Sequence, residues 1–154
     1  MSSSPWLIVL AFCQVLTALV VGGVGLYFAD QQRKNAAAKL RLDLFEHRYK
    51  VLDAVRRLLS AIVEKGNVSL EELGNFSLGT VNADFLFDDG IAKYLAELRN
   101  HAATLMTHTA MLNSPNQVER TEAAKRKGEE IGWFLAQIET LNSKFGAFLK
   151  LGEQ

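Results

Sequence analysis

The sequence predicts an all-α fold: a single N-terminal transmembrane helix followed by a cytoplasmic helical bundle of about four helices. Three observations carry this. The first 29 of the 154 residues hold no charged side chain, so all 34 charges, 17 basic and 17 acidic, fall in the remainder. No proline stands between Pro5 and Pro115, so nothing in that stretch removes a helical N–H donor or clashes with the preceding turn. Apolar residues beyond residue 40 recur at three- and four-residue spacings, and no alternating run bounded by hairpin turns is present, so helix is expected and sheet is not.

From Trp6 to Ala29 the chain runs 24 residues without a charge. At ~1.5 Å per residue this crosses a hydrocarbon core of ~30 Å with some tilt. A cleaved signal peptide would need a basic start, a shorter apolar run and small residues before the cut. The leader MSSSP has no Lys or Arg, and Tyr27 stands two positions before Ala29, so an uncleaved anchor is expected. Trp6 and Tyr27 fall near its ends, where amphipathic rings favour the headgroup region. The N-terminal flank carries no cation, whereas Arg33, Lys34, Lys39, Arg41, Arg48 and Lys50 follow the span. Cations beside a span stay on the cytoplasmic side. The expected organisation is therefore a short extracytoplasmic N-terminus (1–5), the span (6–29) and a cytoplasmic domain (30–154). The juxtamembrane group Arg33, Lys34, Lys39 and Arg41 is first a topology signal with some solvated charge, and the lipid bilayer is the first expected partner.

Within the span, Ala11, Ala18, Gly22, Gly25 and Ala29 recur at spacings of seven, four, three and four. They share one helix face, and small residues let a second helix approach closely. This marks a membrane-helix interface, with a homo-oligomer or another membrane protein as the expected partner. Gln14 and Thr17 are the polar groups able to hydrogen-bond across it. Cys13, the lone cysteine, has no internal disulfide partner and reads as an apolar filler.

The stretch Asp30 to Lys65 is rich in good helix formers, so the span is expected to run on into the next helix. Leu44, Val51, Val55, Leu58 and Ile62 form one apolar row, with Phe45, Leu52, Leu59 and Val63 beside it; together they make a stripe broad enough for a bundle core. Gly66 supplies a stop. Ser69-Leu70-Glu71-Glu72 has the spacing of a capping box, which opens a short helix over about 69–78. Phe76 and the run Phe85-Leu86-Phe87 read as core plugs around a connection. Asp88 or Asp89 caps a third helix, with Ile91, Leu95, Leu98, Leu105 and Leu112 inward, ending near Asn113. Ser114-Pro115 reads as N-cap and first helical residue of a fourth helix reaching Lys150. Only its second half, with Ile131, Phe134, Leu135, Ile138, Leu141, Phe145, Phe148 and Leu149, shows a core stripe.

The block from Leu40 to Val51 (LRLDLFEHRYKV), with Phe85-Leu86-Phe87, Ile91-Ala92-Lys93-Tyr94-Leu95 and Trp133-Phe134, resembles a group of small uncharacterised bacterial inner-membrane proteins. These join an N-terminal hydrophobic segment to a helical cytoplasmic region. The resemblance implies a bacterial inner-membrane location and carries no site residue.

Chemistry is sparse. Glu97, His101 and His108 share one helix face, but two turns separate the histidines by about 10 Å, so the expectation is a solvated Glu97–His101 pair and no metal. No Gly-x-Ser-x-Gly elbow occurs, and Gly22-Gly23-Val24-Gly25 sits inside the apolar span without the spacing of a phosphate loop. Asp84, Asp88 and Asp89 are expected to cap a helix. Lys125-Arg126-Lys127, among Glu119, Glu122, Glu129 and Glu130, is expected to be a solvated face. Zero net charge lacks the sustained basic surface that nucleic acid requires. No catalytic residue, cofactor or metal is expected. The sequence points to a membrane-anchored, non-enzymatic helical interaction or assembly module. The alternative is an accessory subunit of a transport or channel complex, although the span has no ionisable residue to line a pathway.

Overall fold

The computed structural model describes residues 5–149, the side chains of residues 5, 7–13, 15, 17–21 and 26 excepted. It is all-helical, with no strand among the described residues: α1 (Pro5–Lys65), α2 (Leu70–Thr80), α3 (Ala83–Leu86), α4 (Asp89–Met111) and α5 (Gln117–Gly146). The chain divides into two units, Met1–Leu42 and Asp43–Gln154.

The first unit is a stretch of α1. From Gly22 to Leu42 every described side chain is exposed except the half-buried Gln31. Its internal contacts are local: Lys34 pairs with Asp30 at 2.6 Å and Gln31 donates to Tyr27, pairs of small energetic weight at such exposure. Among the described residues no helix is long and apolar enough to cross a membrane. Most of the run expected to span, Leu7 to Val21 apart from Gln14 and Leu16, has its side chains outside the described residues.

The second unit is the bundle. Val51, Leu52, Val55, Leu58, Leu59 and Ile62 of α1 meet Phe76 of α2, Ile91, Leu95, Leu98 and Leu105 of α4, and Phe134, Leu141 and Phe145 of α5 in one core. Each large aliphatic side chain removed from water there contributes about 1.5–3 kcal/mol. The expected α1 rows hold in their middle and fail at the edges. Leu44 and Val63 are exposed, and Phe45 is half-buried, stacked on Tyr49. The bundle covers about one helix face, and the sequence stripe is wider than that face. Leu135 and Ile138 of α5, expected inward, are exposed for the same reason.

The element boundaries follow local chemistry. Gly66, at φ +63°, closes α1 with its N–H on the Ile62 carbonyl at 2.8 Å; only glycine takes that conformation freely. The capping box forms in full: the Ser69 hydroxyl accepts from the Glu72 N–H at 3.2 Å, and the Glu72 carboxylate accepts from the Ser69 N–H at 2.8 Å. Thr80, buried in the core, donates its hydroxyl to the Phe76 carbonyl at 2.9 Å. Gly79 lies against α1, where a Cβ would stand 2.7 Å from Ala54 Cβ. Asp88 caps α4 by accepting from Ile91 N–H at 3.0 Å.

Three sequence expectations are corrected. The connection after α2 contains the one-turn helix α3. The cap of α5 is Asn116, whose Oδ1 accepts from Val118 N–H at 3.0 Å, in place of Ser114. The helix ends at Gly146, short of Lys150, because the next residues turn so that Phe148 N–H bonds the Phe145 carbonyl.

Candidate functional site

The bundle unit carries a cleft of about 570 Å³ between α1 and α2. Its floor is Ala54, Leu58, Ala61 and Phe76, and its rim is polar, with Lys50, Asp53 and Arg57 on α1 and Glu72 and Asn75 on α2. Two closures define it. At one end Gly79 lets α2 touch Ala54; at the other Lys65 bonds Glu72 at 2.6 Å. The Lys65 ammonium, then the Ser69 N–H and hydroxyl, hold the Glu72 carboxyl down at about 2, and Glu72 in turn raises Lys65. Asp53 is engaged by Arg57 at 2.8 Å. Both carboxylates are therefore committed to ion pairs, which leaves an apolar floor under a zwitterionic rim. Such a cleft accepts apolar groups between paired charges.

A second cluster joins α4 to α5. His101 does not pair with Glu97; its Nδ1 lies 2.6 Å from Glu130 Oε2, and its ring stacks on Trp133 at 3.7 Å with Phe134 edge-on. This replaces the expected solvated pair, because α5 brings the Glu130 carboxylate to the ring in place of Glu97 on the preceding turn of α4. Among the described residues no group of three metal-ligating side chains converges. Tyr94, buried beside Phe145 with Lys144 Nζ 4.7 Å from its ring centre, has its hydroxyl pushed up to about 12, first by burial and then by Glu97.

The basic residues after the expected span separate into two kinds. Arg33, Lys34, Lys39 and Arg41 are exposed. Arg48 is half-buried: its Nε donates to the Leu86 carbonyl at 3.0 Å and its Nη1 to the Phe148 carbonyl at 3.1 Å. Its guanidinium also lies 6.0 Å from the centre of the Phe87 ring and 5.8 Å from that of Phe148. One side chain thus ties α1 to the ends of α3 and α5, using the planar fork that distinguishes arginine from lysine. Sequence spacing did not reveal this role. The one available signal was an arginine inside an apolar stripe.

Of the small residues expected to form a membrane-helix interface, Ala11 and Ala18 have side chains outside the described residues. Gly22, Gly25 and Ala29 are exposed, and a Cβ at either glycine would meet nothing within 4 Å. Asp88 serves as the expected cap, and Arg126 pairs with Glu122 at 2.7 Å on an exposed face. Phe85, expected as a core plug, is 89% exposed, because the one-turn helix α3 that holds it gives Ala83 and Leu86 to the core instead. No known family, curated protein or solved structure matches the chain.

Proposed function

We propose that the chain is a membrane-anchored, non-enzymatic helical interaction and assembly module of a bacterial inner membrane, with its N-terminus outside and its bundle in the cytoplasm. The observation that carries this reading is the bare stretch of α1. Between Gly22 and Leu44 it exposes Val24, Tyr27, Phe28, Leu40, Leu42 and Leu44, and helices that bury nothing are marginal in water. A cover of lipid over the charge-free run, and of partner protein beyond it, removes that exposure. The exposed cations Arg33, Lys34, Lys39 and Arg41 then mark the cytoplasmic side, and Ala11, Ala18, Gly22, Gly25 and Ala29 mark the face where a second helix approaches. The non-enzymatic reading is supported by the carboxylates of the cleft and the α4–α5 cluster, which are spent on ion pairs and caps.

The test is membrane extraction combined with a topology reporter fused after Gln154. The expected protein stays with the membrane at alkaline pH and the reporter is active in the cytoplasm. Release from the membrane, or activity only outside the cytoplasm, overturns the reading.

A further inference from the structure

We draw no further inference here: the strongest candidate, the cleft between α1 and α2 over Ala54, Leu58, Ala61 and Phe76, belongs to the site already described, and nothing in the structure shows what covers its floor between the Asp53–Arg57 and Lys65–Glu72 pairs.

Discussion

Helix α1 treats two of its stretches in opposite ways. Between Gly22 and Leu44 its described apolar side chains stand in the open, whereas between Val51 and Ile62 the helix supplies six fully buried core residues. From Asp30 onward both stretches are rich in good helix formers, so over that range propensity does not separate them. What separates them is the presence of α4 and α5 opposite the second. Backbone conformation is thus local and cheap to specify, while stability resides where another element closes over the stripe.

The comparison breaks most visibly at single leucines. Leu98→Ala and Phe134→Ala, at fully buried positions, should each destabilise the bundle by roughly 3–5 kcal/mol, from lost transfer energy and the cavity left behind. Leu40→Ala, in the open stretch, should move stability by no more than about 0.5 kcal/mol. Chemical denaturation followed by circular dichroism measures both. A Leu40→Ala loss comparable to the core variants would mean that the open stretch is packed after all.

The basic residues sharpen the same contrast. Arg48 lies only seven residues beyond Arg41, yet it bridges two backbone carbonyls across 38 and 100 residues of sequence. Arg48→Ala strands those carbonyls beside Phe87 and Phe148, and should cost about 2 kcal/mol. Arg48→Lys should recover little, since one ammonium cannot span both acceptors as the fork does. Arg41→Ala should leave the melt unchanged. Equal effects of Arg41→Ala and Arg48→Ala would place Arg48 among the solvated cations.

Much of the bundle was legible where the determining chemistry is local. The capping box at Ser69 and Glu72, the stop at Gly66 and the rows Val51–Ile62 and Leu52–Leu59 were all visible as spacings of three and four. What was not legible depended on partners distant in sequence. His101 turned to Glu130, 29 residues on, instead of to Glu97 one turn before it. Arg48 read as one more cation after an apolar run. Phe85 read as core because an aromatic in an apolar run states its hydrophobicity but not its face: Phe87, two residues on, packs on Phe145 and Phe148, while Phe85 stands outside. The cleft was invisible too, since its shape depends on the touch of Gly79 on Ala54.

The smallest expected effect concerns the turn that closes the core-forming stretch of α1, where Lys65, Ser69 and Glu72 meet. The Glu72 carboxyl, held at about 2 against an ordinary 4.5 by Lys65 and then by Ser69, stays ionised in the folded chain where the unfolded chain already takes up a proton. Its contribution is therefore whole above about 4.5 and is lost as pH falls toward 2. Lys65 sets the other limit: raised above 10.5 by Glu72, it contributes fully below that value and loses the contribution as pH rises through its folded value. Amide protection at residues 69–75, measured against the exchange of the unstructured chain at the same pH, should fall from pH 4.5 downward in the native chain, and Glu72→Gln should remove most of that fall. Ser69→Ala, which takes away the hydroxyl of the cap, should cost about 1 kcal/mol at neutral pH. If Glu72→Gln retains the full acid response, the response belongs to other carboxylates and this turn does not hold the end of α1.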